Sequence, residues 1–509
     1  MEILDCTLRD GGYYTNWDFS NSLVERYIHC TNNLPIDYIE VGYRNPKLPG
    51  YHGKYFFCNL EVLRDIRNKS CKKISIMLNQ KSISKDDVSS ILKPVENYID
   101  LVRIAVSPDK IEETILIAKE IKKFNVKLAL NIMYASEWKE DKEFISGLSS
   151  LDELCEYIYF VDSYGSMFPA DVKKVFEVFE SITSKSTAGF HGHNNMEMSL
   201  SNTLVAIDNG AGIVDSTMTG MGRGAGNLST ELLLTVLNKK KNLEVDFDSL
   251  SEIVSDFNVL KKEHAWGTSL PYMFSGANSF PQKKVMDWIT KGLHSFGTII
   301  KTLKNGFIYE KKYEDFKPET YHQVLLVGGG KSVKDHASSI LNFLKNNPKA
   351  VIIHASARNA KIFSKVDNKQ LFCIAGNEGK RIESILDEID IKNSSFILAP
   401  LPSEIEIYVP EKAFDKTYFL KQRSISKIYG KSHTGIAVQI ALEVKAEDVF
   451  VVGYDGYEEK NLSIKELESF EENTEIFYNF GENKNISLIS LTQTKYEPLV
   501  QDAVFNYLP

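Results

Sequence analysis

Two short segments combine residue types that could bind a divalent metal. One reads LRDGG and places Arg9 beside Asp10; the other reads HGH and places His191 and His193 two positions apart. In an extended strand this spacing puts both imidazoles on the same face. Two imidazoles and one carboxylate form a ligand set for a divalent metal, and they leave positions free for water and a chelating substrate.

A glycine-rich segment could complete this site. Residues 220–227 read GMGRGAGN, a flexible stretch that ends in Asn227, whose amide oxygen could supply a further ligand. An HxH pair or a glycine-rich turn taken alone is more often structural. The prediction of a metal site therefore depends on a fold that brings Asp10, His191, His193 and Asn227 together.

The elements around these segments predict such a fold. Eight β-type runs, each followed by a helix-length segment, precede residue 240: EILDCTLRD, DYIEVGY, KISIMLN, LVRIAVS, VKLALNIMY, YIYFVDSYG, TAGFHGHNN and IVDSTMTGMG. Eight strand–helix units in roughly 230 residues are the number that closes a (β/α)8 barrel, with a doubly wound open sheet as the weaker alternative. The metal-binding segments follow strands one, seven and eight, and reactive groups of such barrels lie at the carboxyl ends of the strands.

The rest of the 509-residue chain divides into two parts. We predict a TIM barrel over residues 1–240 and a helical extension of it over residues 241–315, where strands are not evident. The polar stretch KKYEDFKPETYH is the best linker candidate. A second alternation of strands and helices then predicts a smaller, Rossmann-like parallel α/β domain over residues 320–509.

Composition excludes several classes of partner. Sixty Lys and Arg stand against 68 Asp and Glu, for a net charge of -8, without a long block of one sign, so we expect neither a nucleic acid nor a membrane surface as partner. No apolar run approaches the roughly 20 residues that span a bilayer, and no signal peptide is evident, so we expect a cytoplasmic protein. The six cysteines lack a CxxC pair and are expected to be buried, reduced thiols. Whether the protein forms a homo-oligomer stays open.

The segments DCTLRDGG, GFHGHNN and GMGRGAGN, with Glu231 after the last, resemble a known superfamily. This superfamily consists of metal-dependent TIM-barrel aldolases, lyases and Claisen-condensing enzymes. Its members include 4-hydroxy-2-oxovalerate aldolase, hydroxymethylglutaryl-CoA lyase and isopropylmalate synthase. The resemblance covers about residues 1–280 and is closest to the oxovalerate aldolase branch. It implies Mn2+ or Mg2+ at Asp10, His191 and His193, with Asn227 as a possible fourth ligand and a 2-keto acid chelating the metal.

The same resemblance implies the roles of further residues. Arg9 would add positive charge beside an enolate, Ser163 would hydrogen-bond to the keto acid, and Tyr272, in PYMFSGANSFP, would be an active-site aromatic residue. The expected substrate contacts are Ser163, Arg103, Asn131 and Thr217. The reaction implied is the making or breaking of a carbon–carbon bond between a pyruvate-type enolate and an aldehyde.

One position departs from the oxovalerate aldolases. Four residues after the arginine they carry a histidine that acts as general acid or base, and Tyr13 stands there instead. A tyrosine, which titrates near 10, suits proton donation, or deprotonation only when a cation lowers its pKa. Proton transfer by Tyr13 or the adjacent Tyr14, transfer by a metal-bound water and a different aldehyde all stay open.

Other chemistries in such barrels are less favoured. Biotin-linked carboxyltransferases carry a metal-binding lysine before the strand-six aspartate, where Val161 stands, and none of the eight strand ends shows the lysine that a Schiff-base aldolase needs. Two alternatives remain: an acyl-CoA and 2-keto acid Claisen synthase of the same superfamily, and a catalytically silent barrel.

The second domain opens with VLLVGGGKSVKDH, which could cradle an anionic group. The segment is neither a Walker A loop, because Leu325 replaces the first glycine, nor a full dinucleotide fingerprint, because Val333 replaces the third. Together with SHTGIAVQIALEVKAEDVFVVGYDGY, it loosely resembles Rossmann-like domains that bind nucleotide-activated sugars. The resemblance implies a nucleotide or phosphate site at Gly328, Gly330, Ser332, Thr434, Gly435 and Asp455. The acceptor would then be a sugar-derived or nucleotide-linked aldehyde in surface-polysaccharide synthesis.

Overall fold

The computed structural model describes residues 1–292, 294–305, 313–400, 405, 407–421, 432–457, 464–484 and 486–508. The chain divides into two compact units, Met1–Met286 and Asp287–Pro509. The division falls inside the segment 241–315, so residues 241–286 belong to the first unit and residues from 287 onward to the second.

In the first unit, eight parallel strands close into a barrel, and the (β/α)8 prediction is confirmed. Each strand pairs with the next along the chain, and the eighth pairs with the first. The strands are β1 (Glu2–Asp5), β2 (Tyr38–Tyr43), β3 (Lys73–Asn79), β4 (Leu101–Val106), β5 (Lys127–Ile132), β6 (Tyr157–Asp162), β7 (Thr187–Gly192) and β8 (Ile213–Ser216).

The helices of this unit bury one apolar stripe each against the barrel. In DKIEETILIAKEIKKF, for example, the buried residues Thr114, Ile117, Ala118 and Ile121 recur at helical spacing. The helices are α1 (Thr7–Thr15), α2 (Asn21–Asn33), α3 (Lys54–Phe57), α4 (Leu60–Lys69), α5 (Val88–Leu92), α6 (Ile111–Ile121), α7 (Ala135–Trp138), α8 (Lys142–Gly147), α9 (Pro169–Glu180), α10 (Ser199–Asp208), α11 (Thr230–Lys241), α12 (Phe247–His264) and α13 (Leu270–Ala277). Helix α14 (Gln282–Lys291) crosses the division.

The first strand is shorter than its sequence suggested. It ends at Asp5, and both Arg9 and Asp10 lie in α1 instead of at the strand end. The Asp5 carboxylate explains the early turn, because Oδ1 accepts the backbone N–H of Thr7 at 3.0 Å and the Thr7 hydroxyl at 2.5 Å. This local bonding competes with strand pairing and starts the helix.

The second unit contains a parallel sheet, as predicted. Its strands are β9 (Glu314–Asp315), β10 (Gln323–Val327), β11 (Val351–His354), β12 (Gln370–Ile374), β13 (Ser394–Leu398), β14 (Thr417–Phe419), β15 (Asp448–Val452), β16 (Leu488–Ser490) and β17 (Val500–Gln501). Their order across the sheet is β17-β16-β15-β10-β11-β12-β13-β14-β9. The chain therefore runs outward from β10 on one side and returns to β15 on the other, which makes a topological switch point between β10 and β15.

Helices connect the strands of this sheet. They are α15 (Phe296–Lys304), α16 (Ser332–Asp335), α17 (Ala337–Asn346), α18 (Glu378–Glu383), α19 (His433–Glu443) and α20 (Ile464–Lys484). The core strand β12 is buried along its whole length, as expected for a parallel sheet covered on both faces.

Two features expected from composition can be compared with the structure. Among the residues that the structure describes, no helix is both long enough and apolar enough to cross a membrane. All six cysteines are unpaired and five are buried, but the prediction of a buried thiol was wrong for Cys71. Cys71 is exposed because it lies in the connection between α4 and β3, where its backbone N–H bonds to the Asn32 side chain.

Candidate active site in the barrel

Six buried side chains form a closed ring of charged and polar contacts inside the barrel. Glu40 Oε2 accepts hydrogen bonds from Arg9 Nε at 2.7 Å and from Arg103 Nη1 at 3.2 Å. Asp215 Oδ2 accepts Arg103 Nη2 at 2.5 Å and lies 2.7 Å from His191 Nδ1. His191 Nε2 lies 3.6 Å from Asp10 Oδ2, and Asp10 pairs with Arg9. We call this set the charge ring: Arg9, Asp10, Glu40, Arg103, His191 and Asp215.

The two arginines of the charge ring keep their charge in spite of burial. Burial disfavours a guanidinium, but Asp10 and Glu40 outweigh it for Arg9 and raise its pKa. Arg103 has no exposed surface, and there Asp215 and Glu40 outweigh burial and raise the pKa in the same way. Both arginines are therefore fixed cations in a low-dielectric interior, where charge acts over a longer range than in water.

The carboxylates beside them stay ionised for the same reason. Burial alone would raise the pKa of Asp215, but Arg103 and His191 lower it to about 2. Burial also opposes ionisation of Asp10, and Arg9, His191 and His193 outweigh it, so that the pKa of Asp10 is lowered. Both groups are carboxylates at neutral pH and can accept hydrogen bonds or bind a cation.

Both histidines contact their supporting groups through the same ring nitrogen, Nδ1. His191 Nδ1 contacts Asp215, and His193 Nδ1 contacts the backbone carbonyl of Asp162 at 2.9 Å. The Nε2 atoms are thus left for other partners, and the ring centroids lie 5.0 Å apart. Burial, followed by the nearby His191, lowers the pKa of His193 to about 3, so this imidazole is neutral, which is the form that binds metals. Such supports are typical of metal-binding histidines.

The glycine-rich segment folds tightly and brings Asn227 to this place. Gly226 has a φ of 78°, and a Cβ on it would lie 2.1 Å from the Gly220 carbonyl oxygen, so only glycine fits. Asn227 Nδ2 donates to Asp10 Oδ2 at 2.8 Å. In the described part of the chain, the buried Asn227 Oδ1 has no hydrogen-bond partner. An oxygen that is buried without a partner is costly, and a cation would satisfy it.

A second group of potential ligands lies beside the first. Ligand atoms of Cys6, His191 and Asp215 all lie within 4.8 Å of one another. Burial raises the pKa of the Cys6 thiol well above its usual value, and Asp215 Oδ2 is already bound by Arg103 and His191. A protonated thiol is a poor ligand. The geometry therefore favours Asp215 as the support of His191 over a role as ligand.

Several tyrosines lie near the charge ring and the glycine-rich segment. The hydroxyls of Tyr13 and Tyr43 lie 3.2 Å apart, and the Arg223 guanidinium lies 5.5 Å from the centroid of the Tyr13 ring. Tyr14 donates to the Gly224 carbonyl at 3.0 Å. Burial, opposed by a hydrogen bond from Tyr272, raises the pKa of Tyr14 to about 12. The structure thus brings Tyr14 and Tyr272 together at the glycine-rich segment.

The structure gives the four expected substrate contacts different surroundings. Arg103 belongs to the charge ring, and its Nε donates to Asn131 Oδ1 at 3.2 Å, so these two residues hold each other. Ser163 Oγ accepts the backbone N–H of Tyr134 at 2.8 Å. Thr217 is fully buried at the end of β8, and its Oγ1 has no hydrogen-bond partner among the described residues.

Sequence reasoning missed Asp215. The residue lies within β8, opposite Leu4 of β1, and is 2% exposed. The available signal was an acidic residue inside a barrel strand, since this strand is buried along its whole length. A buried carboxylate needs a partner, which would have marked Asp215 as part of a polar network. Its partners, Arg103 and His191, come from β4 and β7 and could be assigned only once the barrel had closed.

Four of the six residues expected at a nucleotide site line a cavity in the second unit. The cavity has a volume of about 570 Å³, and Gly328, Gly330, Thr434 and Asp455 are among its lining residues. Ser332 and Gly435 are not among them; the backbone N–H and the hydroxyl of Ser332 both donate to Asp455. The backbone N–H of Gly435 is capped by Ser432 Oγ at the start of α19.

A closed parallel barrel with functional side chains gathered inside it is the architecture of TIM-barrel enzymes. Residues 1–256 match the model of the HMGL-like family, which is half of the chain, and the chain belongs to this family.

Relatives of known description agree with this assignment. An oxaloacetate decarboxylase of Mycobacterium tuberculosis is 27% identical over 54% of this chain and 83% of its own. A 4-hydroxy-2-oxovalerate aldolase of Thermomicrobium roseum is 31% identical over 47% of this chain and 66% of its own. Among solved structures, the N-terminal domain of a Bacteroides vulgatus protein, provisionally assigned as an aldolase, is 48% identical, with a TM-score of 0.56 over 59% of this chain and 99% of that one. The chain is thus similar to lyases that act on carbon–carbon bonds.

Proposed function

We propose that the barrel is a divalent-metal-dependent lyase that makes or breaks a carbon–carbon bond between a pyruvate-type enolate and an aldehyde. One observation carries the proposal: the supports of His191 and His193 leave both Nε2 atoms for a ligand beside the ionised Asp10. Enzymes of this family generally depend on a divalent metal.

The residues present fit a metal. Asp10, His191 and His193 would hold it, and Asn227 Oδ1, which lacks a hydrogen-bond partner among the described residues, would bind it directly or accept from a water on it. This mixture of carboxylate, imidazole and amide donors suits Mn2+, and with more retained water Mg2+. When bound, the metal supplies a Lewis acid for the keto oxygen of a 2-keto acid.

Arg9 provides a second positive charge at the reacting centre. Its guanidinium is held by Glu40 on one side and Asp10 on the other, and its charge is fixed by these carboxylates. A cation that is already oriented stabilises the negative charge of an enolate without reorganising during the reaction. Arg9 therefore contributes to the step in which the bond to the enolate carbon forms or breaks.

The tyrosines provide the proton for the aldehyde oxygen. In the direction of synthesis, the new alkoxide takes a proton from the Tyr13 hydroxyl, and in cleavage the phenolate of Tyr13 takes it back. The Arg223 guanidinium lies 5.5 Å from the centroid of the Tyr13 ring, and the Tyr43 hydroxyl lies 3.2 Å from the Tyr13 hydroxyl, so both groups can position Tyr13 for this transfer. Tyr272 and Tyr14 close the glycine-rich side of the site and orient the substrate.

A second candidate is the decarboxylation of oxaloacetate. One relative, matched over 83% of its own length, is an oxaloacetate decarboxylase. Loss of CO2 from oxaloacetate leaves the same pyruvate enolate as aldol cleavage. The two activities differ only in the group that leaves, so the same charge ring serves both. A sugar-derived or nucleotide-linked aldehyde, suggested by the second domain, stays a prediction for the acceptor.

Formation of the enolate can be tested without knowing which aldehyde reacts with it. We expect Mn2+ or Mg2+ to support exchange of the pyruvate methyl protons with D2O, followed by NMR, and EDTA to stop it. Oxaloacetate decarboxylation is measured in parallel. His29→Ala, which removes an exposed histidine of α2, is the matched control for substitutions of His191 and His193. Absence of metal-dependent exchange with pyruvate and its close 2-keto acids would refute the proposal.

A further inference from the structure

The cavity of the second unit lies where parallel α/β sheets usually bind ligands. Many of its lining residues follow the carboxyl ends of β10, β11, β12 and β15, and the segments after β10 and β15, the strands of the switch point, both contribute. Ligands of open α/β sheets bind in the crevice at such a point. A volume of about 570 Å³ is that of a site for a small organic ligand.

The three glycines after β10 are not equivalent. A Cβ on Gly328 would lie 2.4 Å from the Gly453 carbonyl oxygen, and one on Gly330 would lie 2.5 Å from Asp455 Oδ1, so packing against the segment after β15 requires both. A Cβ on Gly329 would meet only Ser356 at 3.5 Å and Arg358 at 3.8 Å, which are ordinary contacts, and its φ is not left-handed. The protein itself does not require glycine at 329, which lines the cavity.

A cation faces the same place. Arg358 lines the cavity and is exposed, and within the described residues its guanidinium has no carboxylate partner. Arg381 also lines the cavity; it pairs with Glu378 and donates to Ser356 Oγ at 3.4 Å. Gly329, Ser356 and Arg358 therefore form a small polar surface that combines an accessible backbone with a positive charge lacking a carboxylate partner in the described part of the chain.

Two of the three carboxylates that line the cavity, Asp455 and Glu378, accept hydrogen bonds from donors of the protein; the third is Glu472. Asp455 accepts the Ser332 N–H at 2.9 Å and the Ser332 hydroxyl at 2.5 Å. Glu378 accepts the Ala357 N–H at 2.8 Å as well as Arg381. The donors of Ser332 are thus taken by Asp455, which moves an anion site away from Ser332 and toward Gly329 and Arg358.

We propose that this cavity binds a phosphate ester, with its phosphate between Gly329, Ser356 and Arg358. Arginine and a close backbone are suited to a phosphate, and glycine at 329 lets the phosphate approach. The remaining wall, with Tyr454, Tyr496 and Asn473, provides aromatic faces and polar groups for the organic part of the ligand. The proposal does not depend on the chemistry of the barrel.

Calorimetry on the full-length protein tests this site with three probes: inorganic phosphate, ribose 5-phosphate and ADP. We expect at least one ester to bind with a micromolar Kd. Arg358→Gln and Gly329→Ala should each weaken that binding at least tenfold. Both substitutions should leave the fold intact, because Arg358 is exposed and a Cβ at 329 meets no close neighbour. Lys365→Gln, at an exposed cation outside the cavity lining, and Gly297→Ala, in α15, are the matched controls.

The outcomes separate the possible ligands. Tighter binding of ADP assigns a nucleotide, and tighter binding of ribose 5-phosphate assigns a sugar phosphate; each supports the proposal if Arg358→Gln weakens it and the controls do not. Binding of inorganic phosphate alone, an adventitious ion only, overturns it. So does failure of all three probes to bind at millimolar concentration, or binding that Arg358→Gln and Gly329→Ala leave unchanged.

Discussion

The two units arrange their charged groups in opposite ways. In the barrel, the charged groups are buried and pair with one another around a closed ring, so their positions and charges are fixed before a substrate arrives. In the second unit, an exposed arginine faces an open cavity without a carboxylate partner among the described residues. The first arrangement suits the stabilisation of charge that develops during a reaction, and the second suits the recognition of an anion.

His191→Ala should produce the largest loss. The substitution removes a proposed metal ligand and opens the charge ring between Asp10 and Asp215. We expect metal-dependent exchange of pyruvate protons to fall to the level of buffer, and Mn2+ binding measured by calorimetry to be lost, while His29→Ala behaves as the wild type. Retained Mn2+ binding in His191→Ala would show that the ring is structural, and the contrast between the units would then fail.

Arg9→Gln should leave metal binding in place and slow the reaction. Loss of one preorganised donor to a developing oxyanion costs about 3 to 4 kcal/mol, so we expect the exchange rate constant at saturating pyruvate to fall roughly 100- to 1000-fold. Arg26→Gln, which removes a surface arginine paired with Asp256, is the control. A change in the Kd for Mn2+ as large as that in rate would instead assign Arg9 to the metal site.

Asp215→Asn tests the support of a ligand. Supports of metal-bound histidines typically contribute about 10- to 100-fold to metal affinity, so we expect the Kd for Mn2+ to rise by that factor. The protein should also lose stability, since Arg103 loses one of its two carboxylates. Asp109→Asn, at an acidic residue that accepts a hydrogen bond from Ser107 and lies outside the ring, is the comparison. Complete loss of metal at saturating Mn2+ would indicate that Asp215 itself is a ligand.

The smallest expected effect is on the pH dependence of the free energy of unfolding. Burial, opposed by backbone N–H groups, raises the pKa of Asp162 to about 6, against about 3.9 for an unfolded aspartate. Between these values the folded chain keeps a proton that the unfolded chain has released, so this residue lowers stability as the pH rises from 4 to 6. Asp162→Asn should remove at most about 3 kcal/mol of this dependence. Urea unfolding at several pH values, followed by tryptophan fluorescence, measures it; equal slopes for both proteins would contradict the raised pKa.

The barrel was predictable from sequence because each of its strands is a compact apolar run and each helix has an apolar stripe. The segments proposed to bind a metal could be singled out because each lies in or next to a predicted strand. The charge ring was not, since the pairing of Arg103 with Asp215 joins residues 112 positions apart. The helical position of Arg9 and Asp10 depended on a single carboxylate, Asp5, that competes with strand pairing. In the second unit, the special position of Gly329 became visible only when its neighbours were in place.

The proposed lyase activity depends most on which group of side chains holds the metal. The rate of Mn2+-dependent deuterium exchange into pyruvate should be measured against Mn2+ concentration for the wild type, His193→Ala and Cys6→Ser. We predict a saturable, EDTA-sensitive rate in the wild type and in Cys6→Ser, and a rate at background in His193→Ala. Exchange that survives in His193→Ala and disappears in Cys6→Ser would contradict the account, because it would move the metal to the group of Cys6, His191 and Asp215.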